Sequence, residues 1–185
     1  MKRIVAAILF VFLLCGCGNS DSLHRAIELR ERINKGNICS FNADIQAEYG
    51  ERIYTFSMKC SVDQFGELIF EVTEPETISG ITGRVSAEGG KLTFDDQVLL
   101  FETIMDGIAT PVSAPWLIAR LLRSGYINAC GQDGEGIHMR IEDSYDGEKI
   151  CADIFTDSAD LPIRGELFWD NRRIVTVDIE NFIIK

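Results

Sequence analysis

Between Phe41 and Val62 the side chains alternate with a period of two. Phe41, Ala43, Ile45, Ala47 and Tyr49 are separated by Asn42, Asp44, Gln46 and Glu48. Beyond Gly50-Glu51, Tyr54, Phe56, Met58, Cys60 and Val62 are separated by Thr55, Ser57, Lys59 and Ser61. A period of two belongs to a half-buried strand and is incompatible with a stable helix. A two-residue Gly50-Glu51 turn of type II′ sets Ala47 opposite Tyr54, Ile45 opposite Phe56 and Ala43 opposite Met58. Every apolar side chain of the pair then falls on one face. Turn and pattern agree, so the chain must build an antiparallel sheet with one apolar and one polar face.

The same reading extends in both directions. Ser20 to Ser22 offer N-caps, and Leu23, Ala26, Ile27 and Ile33 follow at helical spacing up to Gly36, which predicts an amphipathic helix over about 21–35. After the hairpin, Leu68, Phe70 and Val72 make a third strand that Pro75 ends. A fourth is expected from Ile78 to Val85, and Glu88-Gly89-Gly90-Lys91 turns it into a fifth around Leu92 and Phe94. Val98 to Ala109 is apolar without a clean period and reads as loop with partial helix. Ser113 can cap a short helix whose first turn holds Pro115, with Trp116 to Arg123 following and Gly125 as the closing residue. That helix is apolar over most of its surface and needs cover. Ile137, Met139 and Ile141 then alternate with polar residues, and an Asp146-Gly147 turn sets Ile141 against Ala152 and Met139 against Ile154. Asp160-Leu161-Pro162 leads into Ile163 to Trp169, and Asp170-Asn171-Arg172 turns back to Ile174, Val175, Val177, Ile179 and Phe182. The total is nine to eleven strands with two or three helices, a mainly β (α+β) chain with no repeat and no linker.

The first residues give an address. Lys2 and Arg3 precede an unbroken apolar run from Ile4 to Leu14, too short for a bilayer span of about 20 residues. It ends in Leu14-Cys15-Gly16-Cys17, which resembles the lipobox of bacterial lipoproteins, with Gly16 before the cut and Cys17 as the acylated residue. The resemblance implies a signal peptide over 1–16, a single domain over 17–185, and a membrane anchor through diacylglyceryl-Cys17. Two acyl chains, each buried CH₂ contributing about 0.8 kcal/mol, hold a protein stably without a transmembrane helix. The expected location is the extracytoplasmic face of the cell membrane, or the outer membrane in a two-membraned source. Loss of Lys2 and Arg3 takes the 18 basic residues to 16 against 29 acidic ones, a net of −13. Such a chain repels phosphate backbones, so no nucleic-acid partner is expected. A monomer is expected.

Four cysteines remain after Cys17: Cys39, Cys60, Cys130 and Cys151. None lies in a CxxC pair, and there are only two histidines, so neither a metal nor another cofactor is expected. With the Gly50-Glu51 turn, Cys39 and Cys60 are diagonal neighbours about 7–8 Å apart, at the limit of about 7 Å for bridging. With a Tyr49-Gly50 turn they are directly opposite and can bond. Cys39–Cys60 is thus the one disulfide within reach. Cys130 and Cys151 fall on opposite sides of one strand and are expected as free thiols. His24 falls on a helix and His138 on a polar strand face, neither near a nucleophile. Asp95-Asp96 and Glu142-Asp143 read as solvated acidic pairs. No GxSxG, HExxH, P-loop or GxGxxG is present, so no enzyme is expected.

The order of elements resembles the LolA/LolB lipoprotein-carrier superfamily. The resemblance rests on the first helix followed by the Phe41–Cys60 hairpin, on Pro75 followed by Ile78, and on Gly89-Gly90-Lys91-Leu92-Thr93-Phe94. It rests also on the Thr110–Leu122 helical insert, on Leu161-Pro162 and on the closing strand Ile174–Phe182. It implies a strongly curved half-barrel sheet with a short helical lid over its concave face. In that family a buried arginine ties lid to sheet, and Arg120 and Arg123 are the candidates here. A cavity between lid and sheet would suit a lipid, an acyl chain or a lipidated partner. Its candidate lining is Tyr54, Phe56, Met58, Phe70 and Phe94 from the sheet and Trp116, Leu117, Leu121 and Leu122 from the lid. The other reading is a structural or protein-interaction lipoprotein of the envelope, with a packed core and no ligand.

Overall fold

A computed structural model describes residues 18–105, 108–145 and 147–185. The expected signal peptide and Cys17 lie outside the described residues. Helix α1 (Gly18–Lys35) leads into strands β1 (Ile38–Tyr49), β2 (Arg52–Asp63), β3 (Leu68–Glu74), β4 (Thr82–Ser86), β5 (Gly89–Phe94) and β6 (Gln97–Phe101). A short ribbon, β7 (Ile104–Met105) and β8 (Ile108–Ala109), and a 3₁₀ turn at Pro111–Ser113 carry the chain to helix α2 (Ala114–Ser124). Strands β9 (Tyr126–Asp133), β10 (Gly136–Tyr145), β11 (Glu148–Thr156), β12 (Pro162–Trp169) and β13 (Arg172–Ile184) complete it.

Eleven strands form one antiparallel, curved sheet in the order β6-β5-β4-β3-β2-β1-β13-β12-β11-β10-β9. Each half is a meander, and the halves meet where β1 pairs with β13, Ile45 opposite Val177 and Ala47 opposite Val175. The sheet does not close; β6 and β9 are its free edges. The first hairpin has the register that its turn dictates, with Ala47 opposite Tyr54, Ile45 opposite Phe56 and Ala43 opposite Met58. The second, across Gly147, sets Ile141 opposite Ala152 and Met139 opposite Ile154. The apolar face of the sheet is the inner face. Helix α1 covers β9 and β10, and α2 lies over β2, β10, β12 and β13. Arg25 fixes α1 from outside by a fork onto Asp160, with Nη2 to Oδ1 at 2.6 Å and Nε to the same carboxylate at 3.0 and 3.1 Å. Helix α2 reaches close to the sheet because Gly165 has no side chain there: a Cβ would fall 2.5 Å from Ile118 Cδ1.

Four expectations are corrected. The stretch expected as loop and partial helix contains a full strand, β6, paired residue for residue with β5 from Phe94–Gln97 to Gly90–Phe101. Its signal is absent from the sequence because β6 is an edge whose Val98, Leu99 and Leu100 are 55, 62 and 75 % exposed. With neither face buried, nothing selects an alternation. The fourth strand begins at Thr82, not Ile78, since Val72 N–H already donates to Ile81 O and Gly80 N–H to Val72 O in a turn. Ser113 precedes α2 but does not cap it: its hydroxyl donates to the carbonyls of Thr103 (2.8 Å) and Thr110 (2.7 Å). Gly125 ends α2 in an extended conformation, φ −65°. What requires glycine there is the approach of Ile141 Cγ2, 2.5 Å from where a Cβ would sit.

Candidate functional site

The nine residues expected to line a lid-and-sheet cavity separate into two groups. Met58, Phe70, Trp116, Leu117, Leu121 and Leu122 are all buried, none more than 4 % exposed. They belong to one packed core. The void that remains beneath α2, between Ile33, Phe41, Ile118 and Phe182, has a volume of about 10 Å³, no more than about one water's worth of room. Phe56 is half-buried, and Tyr54 and Phe94 are 43 and 45 % exposed. The cause is the stagger of strand ends. β3 ends opposite Ser57 and β4 begins opposite Thr93, so Tyr54, Phe56 and Phe94 extend past their neighbours at one end of the sheet.

At the other end, α2 is held by polar ties. Trp116 Nε1 donates to Gly66 O (2.8 Å) and Arg123 Nη1 to Gln64 O (3.1 Å), both in the β2–β3 turn. Arg120 pairs with Asp143 on β10 at 3.2 Å and lies over the rings of Trp116 and Tyr145. Both expected arginines therefore connect the helix to the sheet or its turns. A third, which the sequence reading missed, does more: Arg30 on α1 donates from Nε to Leu122 O (2.8 Å) and from Nη2 to Gly125 O (2.7 Å). It satisfies carbonyls that a helix C-terminus leaves open, and its charge complements the dipole there. Burial pulls its pKa down. Nothing in the sequence separates Arg30 from its neighbours on a charged helix face.

Between α2, the β2–β3 turn and the β4–β5 turn runs an open cleft of about 550 Å³, lined among others by Val62, Phe65, Trp116, Arg120 and Arg123. Its far wall is fixed by Tyr145, whose hydroxyl donates to Ala87 O at 2.8 Å. That bond joins the two wings of the open sheet. On the first wing Tyr49 donates from its hydroxyl to Ala109 O, which pins the β7–β8 ribbon. Burial, with Tyr54 adding to it, pushes the Tyr49 pKa up to about 12.

Cys39, Cys60, Cys130 and Cys151 are free thiols. Cys39 faces Val62 and Cys60 faces Phe41, the diagonal arrangement of the Gly50-Glu51 register. Burial raises all four thiol pKa values, Cys60 by the most. His24 is exposed beside Glu28, and His138 stacks on Phe155 within 3.2 Å of Asp153. Among the described residues no three His, Cys, Asp or Glu converge as metal ligands, and no helix is long and apolar enough to cross a membrane.

No family model and no curated protein matches the sequence. Solved structures do match the fold. A putative outer membrane lipoprotein-sorting protein domain from Vibrio parahaemolyticus has a TM-score of 0.50 at 9 % identity, covering 90 % of this chain and 93 % of that one. A LolA superfamily protein from Nitrosomonas europaea reaches 0.45 at 8 % identity, covering 86 and 93 %. The Mycobacterium tuberculosis lipoprotein LppX reaches 0.42 at 8 %, covering 88 and 93 %. The fold is that of the Vibrio domain, an open curved antiparallel sheet with helices against its inner face.

Proposed function

We propose that this chain is a lipid-anchored envelope protein that receives an apolar ligand between its curved sheet and helix α2. In this reading residues 1–16 are removed, Cys17 carries the acyl chains, and the single domain 17–185 stands on the extracytoplasmic membrane surface as a monomer. The ligand is a lipid, an acyl chain or a lipidated partner, and no catalytic step is involved. The observation that carries the reading is the way α2 is held. Its seven buried residues (Ala114, Pro115, Trp116, Leu117, Ile118, Leu121, Leu122) face the inner sheet, yet its ties to the sheet and its turns are single polar bonds from Trp116, Arg120 and Arg123. Lifting α2 would give up these bonds, and those of Arg30 to Leu122 O and Gly125 O, to water, and its apolar side and the inner face would then clasp an acyl chain. The lipoprotein-sorting fold of the Vibrio domain supports the reading, although fold alone does not fix function.

A second reading has its own observation. The void beneath α2 is only about 10 Å³, as in a packed structural envelope lipoprotein with no ligand. One experiment separates the two. The mature protein is isolated gently, extracted into organic solvent and examined by mass spectrometry, and a Trp116→Ala variant is compared with the parent for binding of an apolar fluorescent probe. Under the ligand reading a lipid co-purifies and the variant binds the probe more weakly. Under the structural reading no lipid appears, the parent ignores the probe, and the substitution only costs about 3–5 kcal/mol of stability, as a large core truncation does.

A further inference from the structure

Arg123 stands out by what it lacks. Its Nη1 donates to Gln64 O, but its Nε and Nη2 are buried with no oxygen or nitrogen partner, the weak acceptor beside the guanidinium being the Cys39 thiol, and Arg120 Nε also lacks a partner. Arg123 makes no ion pair among the described residues, whereas Arg120 has Asp143. In a chain with 29 acidic and 18 basic residues, a carboxylate partner for an arginine is easy to supply. A half-buried guanidinium with two covered donors and no such partner carries part of a desolvation cost, and its planar fork is shaped for a carboxylate or phosphate.

Its location gives the unpaired donors a use. Arg123 lines the open cleft of about 550 Å³ and also the small void beneath α2. Val62 and Ala119 line both spaces too, so these three side chains form the partition, and Arg123 is the charged one. On the cleft side lie Trp116, Phe65 at 85 % exposure and the stacked Arg120. On the void side lie Cys39, Phe41, Ile118 and Leu122. The space is therefore polar at its mouth, with Arg120 and Arg123 on the α2 side, and apolar beyond the partition. Two acids share the cleft: Glu67 is engaged by Arg84 at 3.5 Å, and Glu88 stands on the β4–β5 turn.

We infer that the cleft is a headgroup subsite for an anionic amphiphile. Arg123, aided by Arg120, takes the carboxylate or phosphate, and the tail passes between Val62 and Ala119 into the space that opens under α2. This rests on the apolar-ligand reading above and adds the charge of the ligand and its point of entry. The two donors of Arg123 that lack an oxygen or nitrogen partner are the ones the anion satisfies, in place of the weak thiol acceptor of Cys39.

The test is a titration of the full chain in a Trp169→Phe background, so that the fluorescence reports Trp116. The probes, each below its micelle concentration, are laurate, dodecyl phosphate, dodecanol and inorganic phosphate. Laurate and dodecyl phosphate should bind about tenfold or more tighter than dodecanol, the scale of one charge-assisted hydrogen bond. The two anions distinguish a fatty acid from a phospholipid-type head by which binds tighter. Arg123→Gln should bring the ratio of anion to alcohol close to one, Arg123→Lys should keep part of it, and Glu88→Gln should raise it. Equal affinity for dodecanol in the parent protein would overturn the headgroup subsite and leave the apolar-ligand reading standing. Failure of all three twelve-carbon probes would sink that reading and the subsite with it. Inorganic phosphate binding as tightly as dodecyl phosphate would overturn the tail path. Should Arg123→Gln fail to fold for loss of its bond to Gln64, the anion-to-alcohol ratio of the parent decides alone.

Discussion

At Gly83 the place of a side chain is already taken. A Cβ there would lie 2.5 Å from Phe70 Cζ and 2.6 Å from the Lys91 carbonyl oxygen, so the ring of Phe70 rests on bare backbone. Phe101 covers Gly90 in the same manner one strand further on. Gly83→Ala should therefore lower stability by about 1–3 kcal/mol through overpacking, read as a fall in the urea midpoint with an unchanged slope. Tyr49 supplies a test by pH. Its ordinary pKa of 10.0 is pushed up to about 12, first by burial and then by Tyr54. Below pH 10 both folded and unfolded chains keep the phenol proton, and this group makes stability independent of pH. Between pH 10 and 12 the unfolded chain releases the proton that the folded chain holds, so stability falls as pH rises. Burial of Cys60, whose ordinary value is 9.0, adds a loss that starts lower. In Tyr49→Phe the decline from pH 10 to 12 should be shallower than in the parent, and an identical slope would show that the phenol is not protected.

Helix α2 shows how far the sequence could be read at the scale of elements. Its apolar run and its burial follow from composition, because a helix with Trp116, Leu117, Ile118, Leu121 and Leu122 is apolar over most of its surface; the 3₁₀ turn before it was not read from the sequence. Both hairpins were legible for a similar reason: turn chemistry and alternation specify the same register. Strand β6 was not, since an edge with two exposed faces carries no period. The candidate lining was legible only in part. Parity places Tyr54, Phe56 and Phe94 on the inner face with Met58 and Phe70, but the lengths of the neighbouring strands decide which of them α2 and the core cover, and lengths are set by turns that begin early, as at Ile81. Arg30 was illegible, one charge among several on α1. Its two bonds to the last turn of α2 predict that Arg30→Ala costs about 1–3 kcal/mol, the range for charge-assisted bonds to otherwise open carbonyls. Amide exchange should rise at Leu121 to Gly125 and stay unchanged in β1, and a uniform rise across both would assign Arg30 a global role.

For the whole molecule the decisive seam is the pairing of β1 with β13. The meanders β1–β6 and β9–β13 are each local, and among the described residues this is the strand pair that joins them, with the Tyr145–Ala87 bond a side-chain tie besides. Val177 lies on the seam, opposite Ile45 on β1 and Gly165 on β12, and is fully buried. A carboxylate there would be an unpaired buried charge on the one ladder that holds the halves together. Val177→Asp should therefore unfold the entire domain, with near-ultraviolet circular dichroism and tryptophan fluorescence lost together. Val98→Asp, on the exposed edge strand β6 at 55 % exposure, should change stability by no more than about 0.5 kcal/mol. The contrast follows from topology, since the two residues are both strand valines. If the two halves were separate folding units, Val177→Asp would leave one of them intact, and urea unfolding would show two steps. A single cooperative transition in the parent, abolished by Val177→Asp and untouched by Val98→Asp, is the outcome that an open eleven-stranded sheet with one central seam requires.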